Sequence, residues 1–404
     1  MVLGAGLTGV GTALELAARG VHVTLVDRDE RPLNRASLRN EGKIHLGFLY
    51  ANDGSLASAD LQLRGGLRFR QLLAGWIGTA ANTLQRSTPF WYLVANDSLL
   101  SPDELSAHYA SVEALYTAYV KEDAALDYLG DRPRRLWLRA DIDPFFRADR
   151  FQGAFRTAEL AIDTDGLASL LRDAVASSSY VRFLPGHRVH AVDRRHGLLY
   201  VEGSSPGGAW KIAADQVVNA LWGQRLAIDR TAGLPVDPGW VHRLKYRVIA
   251  TLPAQLRQAP SATVVLGRYG DVVVRPNGTA YLSWYPSAMR GWTHELAPPP
   301  GWDAPCRGEV AADEASGIAR EFLRAIDGWY PGIGDSSVVQ VDAGAILAYG
   351  CTDVDDPASA LHQRSRIGVV SVDGYHSVEP GKLTTAPLVA VQAAASVMGI
   401  PVAI

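Results

Sequence analysis

Cysteine is nearly missing from this sequence: Cys306 and Cys351 are the only two among 404 residues. No CxxC pair and no Cys/His grouping with metal-ligand spacing occurs. Neither a disulfide framework nor a metal site is therefore expected, and a reducing, cytoplasmic setting fits best. No run of about 18 apolar residues is present, so no transmembrane segment is expected. A dominant charge is also lacking, with 39 Lys and Arg against 42 Asp and Glu, a formal net charge of −3. Such a balance supplies no field to draw in nucleic acid or anionic lipid. The tightest basic group, Arg132, Arg134 and Arg135, reads as a solvated loop. Internal repeats and low-complexity tracts are absent as well. What remains, 48% hydrophobic and 20% charged residues over 404 positions, is the balance of a folded enzyme long enough for two domains.

The chain opens as strand, turn, helix, strand. An apolar stub at residues 1–3 runs into Gly4-Ala5-Gly6-Leu7-Thr8-Gly9 without the features of a signal peptide, then a helix over 10–19 and a β-branched strand over 21–26 ending at Asp27. The stub is short for a first strand, which leaves open whether the natural start lies further upstream. In this βαβ unit Gly4 permits the tight turn, Gly6 lets the backbone approach a pyrophosphate, and Gly9 lets helix and strand pack closely. Amides at the helix start would meet phosphate charge. Asp27, at the strand end, can accept from ribose hydroxyls and would repel a 2′-phosphate, which disfavours NADP. The pattern identifies a dinucleotide site but does not separate FAD from NAD.

Further along, residues 65–128 are mostly helical with a strand near 90–94. A helix over 164–177 leads into short strands at 181–184, 188–192, 198–202 and 211–212 and a buried strand at 216–220. Residues 241–285 predict an antiparallel sheet, 309–329 a helix, 338–348 and 367–372 strands, and 385–398 a last helix.

Three segments carry a family resemblance. Ser37-Leu38-Arg39-Asn40-Glu41-Gly42-Lys43-Ile44-His45-Leu46-Gly47 resembles the segment that follows the first βαβ unit in the D-amino-acid oxidase superfamily of flavoenzymes. Gly381-Lys382-Leu383-Thr384-Thr385 is similar to a segment of the glycerol-3-phosphate dehydrogenase branch, and Val217-Val218-Asn219-Ala220 to the family's strand end ahead of the flavin. The resemblance implies FAD as cofactor and a small-molecule substrate. It implies FAD contacts from Gly4, Gly6, Leu7, Thr8, Gly9, Asp27, Arg28, Arg39, Asn40, Gly42, Lys43, Ile44 and Val189 in the first half, and from Gly381, Lys382, Leu383 and Thr384 near the end. Two departures stand out. Leu221-Trp222 intervenes where the family has Asn-Ala-Ala-Gly, and Gly344-Ala345-Ile346-Leu347 lacks the branch's phosphate-binding arginine, so glycerol 3-phosphate is a poor substrate guess.

His45 reads in three ways: a proton acceptor beside the flavin, a site of covalent flavin attachment, or a structural histidine. Lys382 is either a positive charge that steadies reduced flavin, together with the amides of the following helix, or a surface lysine in a glycine turn. Arg364 and Arg366 fall near an active-site arginine of the branch and suit a substrate carboxylate, or else a solvated strand edge. Arg290, beside the aromatic run Tyr281, Trp284, Tyr285 and Trp292, is a further anion clamp or part of a packed strand and turn. Tyr246, Trp240 and His376 are weaker candidates. Cys351 reads as a small buried residue.

The expectation is an α/β protein: a Rossmann-like FAD-binding domain with an inserted antiparallel-sheet substrate domain. FAD-binding parts fall at 1–75, 163–235 and 342–404, and substrate parts at 76–162 and 236–341. The expected activity is an oxidase or dehydrogenase that moves hydride from a C–H beside a hydroxyl or amine, in a 2-hydroxy acid, amino acid or related molecule, to flavin N5. The pattern leaves the electron acceptor open. An NAD-dependent dehydrogenase and a non-catalytic FAD-binding protein are the alternatives.

Overall fold

The computed structural model describes residues 1–401. Its first sheet has six strands in the order Gly368–Val372, Tyr375–Glu379, Val217–Asn219, Val2–Leu3, Val23–Val26 and Val181–Leu184. All neighbours are parallel except the first pair, which is antiparallel. Parallel sheets need cover on both faces. The helix Leu7–Ala17 supplies it on one side, packed on the last helix, Ala386–Met398. Their approach depends on Gly11, where a Cβ would stand 3.0 Å from the Ala390 Cβ. An antiparallel three-stranded sheet, Gly208–Ala214, Leu198–Ser205 and Arg188–Arg195, packs on the six-stranded sheet, with Val189, Val192, Leu199 and Val201 clustered against Leu3, Val26 and Val217.

A nine-stranded sheet forms the other half. Its long strands Trp240–Thr251 and Ser337–Tyr349 pair antiparallel along most of their length. The sheet departs from the expected antiparallel pattern once: Ser261–Val265 runs parallel to Phe90–Ala95. The strand Ser337–Tyr349 also crosses residue 342, so the expected boundary there falls inside one continuous element. On one face lie the helix Ala312–Asp327 and the aromatic cluster of Phe146, Phe151, Trp329 and Tyr330. The helix Pro102–Glu122 is fixed at its start by reciprocal Ser101 and Glu104 capping bonds with Pro102 in the first turn.

Two connections hold the halves in register. The short strand Lys43–Ile44 pairs with Leu160–Ala161, and the helix Ala57–Ile77 passes so close that a Cβ on Gly66 would lie 2.9 Å from the His45 carbonyl oxygen. No described helix is long and apolar enough to cross a membrane.

Candidate functional site

The glycine turn is sterically obligatory. Gly4 has φ +93, and a Cβ there would lie 2.7 Å from the Ala220 carbonyl oxygen. A Cβ on Gly9 would fall 1.9 Å from the Gly4 carbonyl oxygen. Gly6 caps the first helix with no side chain, so its opening amides are not consumed by a capping group, apart from Leu7 N–H, which donates to Ser37 Oγ at 2.9 Å. The Asp27 carboxylate accepts from Ala5 N at 2.7 Å and Asp29 N at 2.9 Å, which locks its direction. Burial pushes its carboxyl up, against the opposing pull of those amides.

From this turn an elongated cavity of about 640 Å³ runs between the two halves of the molecule. Its walls take in Gly4, Gly6, Leu7, Thr8, Asp27, Arg28, Arg39, Asn40 and Val189 at one end, and Lys43, His45, Arg364, Gly381, Lys382 and Leu383 at the other. Segments more than 300 residues apart thus meet on one space. Leu221 and Trp222, the unexpected pair after the buried strand, form part of the wall, with Trp222 Nε1 donating to the Ala345 carbonyl at 2.7 Å.

At the far end the backbone around His45 is clamped. His45 N–H donates to Thr384 Oγ1 at 2.9 Å, Leu46 N–H to Glu159 Oε1 at 2.6 Å, and Tyr128 O–H to the Ile44 carbonyl at 2.5 Å. The imidazole is only 1% exposed, yet neither ring nitrogen has a hydrogen-bond partner. Glu41 Oε1 lies 3.7 Å from Nε2 and Glu159 Oε1 lies 3.9 Å from Nδ1. Burial, then the Lys382 charge, lowers the His45 pKa, with Glu41 and Glu159 opposing. The ring is therefore a neutral base at pH 7. Burial would raise the Glu41 carboxyl, but His45, Lys382 and Lys245 together hold it well below its usual range.

Lys382 sits in a turn fixed from below. Gly381, at φ +69, donates its N–H to Glu379 Oε1 at 3.0 Å, and Glu379 pairs with Arg225 at 2.9 Å. Arg225 in turn meets Asp229, which accepts from Asn219 and Tyr375. Burial brings the Lys382 ammonium down to about 8; Glu41 acts to raise it, while Arg364 and Lys245 lower it.

Five expected site residues do not line the cavity. Gly9 and Gly42 are close-approach points, the latter against the Ile162 carbonyl oxygen at 2.2 Å from a built Cβ. Ile44 is core, and Thr384 spends its hydroxyl on His45 N and the Lys43 carbonyl. Arg290 does not join the expected anion-binding site. It points to the exterior, bound to the Ser287 carbonyl at 3.0 Å and Glu321 at 2.5 Å, because its short strand packs on the outer side of Trp240–Thr251. Arg366 pairs with Asp237 at 3.5 Å, away from the cavity wall that Arg364 joins. Cys351 is exposed rather than buried. Of the weaker candidates, Tyr246, Trp240 and His376 stand outside the cavity. Arg39 and Asn40 reach the wall, but their side chains bond protein partners: Arg39 to Asp342 at 3.2 Å, Asn40 to the Ala36 carbonyl and Gly42 N–H.

Sequence reasoning missed a basic ladder. Arg243, Lys245 and Arg247 alternate along Trp240–Thr251, so one strand face carries all three, and all three line the cavity. The period-two spacing was the available signal. Arg247 is neutralised by Asp342 at 2.6 Å. Lys245 keeps its charge despite burial because Tyr281, Glu41 and Asp271 raise its pKa. Glu41, Tyr50, Asp271, Tyr281 and Tyr285 also line this end. Lys43 is saturated by Asp271 at 2.7 Å and by Thr263, under the Phe90 ring at 4.1 Å.

A parallel sheet, a side-chain-free glycine turn, an acid at the second strand end and a long cavity closed by a C-terminal turn define a dinucleotide-dependent oxidoreductase. The sequence model of the FAD dependent oxidoreductase family DAO matches residues 1–395, and the chain belongs to that family. Its cofactor is FAD, and the cradle just described fits that group. Among solved structures, the glycine oxidase from Geobacillus kaustophilus superposes with a TM-score of 0.71 at 14% identity, over 100% of this chain and 95% of that one. The iminodiacetate oxidase from Chelativorans sp. BNC1 gives 0.68 at 18% identity, over 100% and 96%. L-alpha-Glycerophosphate oxidase from Mycoplasma pneumoniae, a structure with FAD bound, gives 0.64 at 14% identity, over 98% and 94%. A search of curated proteins by sequence finds no match.

Proposed function

We propose that this FAD-dependent oxidoreductase oxidises a small organic acid at a C–H bond beside an amine or hydroxyl, with His45 taking the proton that leaves nitrogen or oxygen. Bound FAD supplies the acceptor for the hydride, at N5. The observation that carries the reading is the His45 imidazole: buried, neutral and without a partner, it faces a cavity also lined by Arg364 and Lys382. A buried ring with no protein partner is costly unless a ligand completes it. Arg364 is a half-buried guanidinium whose side chain bonds only the Leu347 carbonyl, at 3.4 Å, and it holds the substrate carboxylate.

The remaining residues position and polarise. The glycine turn and first-helix amides take the pyrophosphate, Asp27 the ribose, and Val189 flanks the adenosine end. Lys382 presents its charge to the ring end of the cofactor. Glu41, close to both His45 and Lys382, keeps a proton acceptor and a cation side by side without net repulsion. The six-stranded sheet with its flanking helices is the FAD-binding part, and the nine-stranded sheet the substrate part, with its boundary placed after Tyr349. Glycine and iminodiacetate, the compounds named in two structural neighbours, both carry nitrogen on a carbon bearing a carboxylate. That favours an amino acid over a 2-hydroxy acid.

Anaerobic mixing of the yellow holoenzyme with amino acids, N-substituted amino acids and 2-hydroxy acids tests this. Bleaching of the flavin band by at least one acid is expected, and the bleaching acid should need His45. Failure of every member to bleach the band would favour a flavin-binding protein without this chemistry.

A further inference from the structure

The cavity holds more positive charge at its substrate end than one carboxylate needs. Most of the buried or half-buried arginines around this cavity have a carboxylate: Arg35 has Asp29 and Asp303, Arg39 and Arg247 share Asp342, and Arg225 has Asp229 and Glu379, while Arg275, buried and also without an ion pair among the described residues, lies off the cavity wall. Arg243 and Arg364 are different. Both line the cavity, and neither makes an ion pair with any described residue. Arg243 is 4% exposed, its Nε has no partner, and its one side-chain hydrogen bond runs to the Tyr285 hydroxyl at 3.2 Å. The nearest acids are spoken for. Glu379 is bound to Arg225 and the Gly381 amide, and Asp353 accepts from the Tyr285 hydroxyl and lies 3.5 Å from Arg268.

The two guanidiniums also feel each other, since Arg243 contributes to lowering the Arg364 pKa. They come from different elements. Arg243 projects from the long strand opposite Ile346, and Arg364 lies on the connection that follows. Two like charges gathered in one cavity, neither paired with a protein anion, destabilise the free protein and are relieved by a ligand that brings negative charge. The Tyr50 hydroxyl, also buried without a partner and near Arg364, adds a neutral donor to the same corner.

We propose that Arg243 and Arg364 together form a seat for a doubly anionic end of the substrate, two carboxylates or a phosphate monoester, rather than for a single carboxylate. This rests on the reading of Arg364 as a substrate anchor, and it names a charge class that the reading leaves open. A doubly charged group can pair with both guanidiniums, whereas a lone carboxylate leaves one guanidinium unmatched.

The test is equilibrium binding to the oxidised holoenzyme, read from perturbation of the flavin absorbance and from the melting temperature. Probes are acetate and propionate as monoanions, malonate and succinate as dicarboxylates, and inorganic phosphate, each titrated at fixed ionic strength. For the wild-type protein the best dianion should bind at least about tenfold tighter than the monoanions. The better of the dicarboxylate and phosphate arms identifies the source of the charge. Arg243→Lys and Arg243→Gln, checked for FAD content, should lose that preference while monoanion binding changes less than about threefold. Equal binding of monoanions and dianions by the wild-type protein overturns the proposal and needs no variant. Equal weakening of both classes in Arg243→Gln also overturns it, since the two arginines would then share one carboxylate. Bleaching by a monocarboxylate substrate alongside either result leaves the proposed oxidation standing; absence of bleaching by every acid counts against that reading instead.

Discussion

Replacing Glu41 with Gln removes one negative charge from the midst of His45, Lys382 and Lys245, and its consequence can be worked in sign and size. The Glu41 Oε1 to His45 Nε2 separation is 3.7 Å. At an effective dielectric constant of about 20, a full charge pair at that distance is worth roughly 4 kcal/mol, an upper bound. Water reaching the partly exposed carboxylate reduces this to an effect of about 1–2 pH units. The protonated forms of His45 and Lys382 are both cations favoured by Glu41, so losing the carboxylate lowers both pKa values. His45, already below 6.5, falls further, and Lys382 moves down from about 8. The pH window in which His45 is a free base and Lys382 is still charged therefore slides to lower pH. The other charges facing this pair, Lys43, Lys245, Glu159, Asp271 and Arg364, are unaltered in the variant. The assay is kcat/KM against pH for both proteins, with a pH titration of the oxidised flavin spectrum as a readout that needs no substrate. The wild-type profile should rise on an acid limb below pH 6.5 and fall near pH 8. A basic limb that stays in place in Glu41→Gln, or moves to higher pH, would refute the reasoning.

Four further outcomes are expected. His45→Gln should retain FAD and lose about 10²–10⁴ in kcat/KM, the usual worth of a positioned proton acceptor; steady-state kinetics on the bleaching acid checks it. Gly9→Ala, whose new methyl group would stand 1.9 Å from the Gly4 carbonyl oxygen, should yield colourless or unfolded protein, a cost of about 3 kcal/mol or more, read from the ratio of visible to ultraviolet absorbance. Thr384→Val removes the 2.9 Å bond to His45 N–H and should cost about 1–3 kcal/mol in denaturant unfolding, since the buried amide is left without a partner. Arg290→Ala breaks an exterior pair with Glu321 and a bond to the Ser287 carbonyl and should leave KM unchanged and stability within about 1 kcal/mol.

The cofactor end of the site was legible because its physics is local. Tight turn, helix start and strand-end acid occupy 24 consecutive positions from Gly4 to Asp27, and Gly4 and Gly9 each answer a steric demand that the structure shows directly. The segment from Ser37 to Gly47 and the turn at Lys382 were legible through resemblance rather than pattern, and they do share one cavity. The strand Tyr375–Glu379 escaped notice because Ser377 and Glu379 break its apolar run. Those polar side chains are buried for a tertiary reason, the Arg225 and Asp229 network. The parallel pairing of Ser261–Val265 with Phe90–Ala95 joins segments more than 160 residues apart, and no local spacing encodes it. Arg290 drew attention through its aromatic neighbours, but which side of the strand Met289–Thr293 faces the cavity depends on register with Trp240–Thr251. Arg243 and Lys245, on the face that does turn inward, were hidden in plain alternation.

The central claim is that both ends of the chain close on one FAD, with its ring between His45 and Lys382 and its diphosphate at the glycine turn. A crystal structure of the yellow holoenzyme tests this most directly. Difference density is expected for the isoalloxazine in contact with both side chains and for the pyrophosphate at the amides after Gly6. Flavin density that leaves either His45 or Lys382 out of contact with the ring would contradict it.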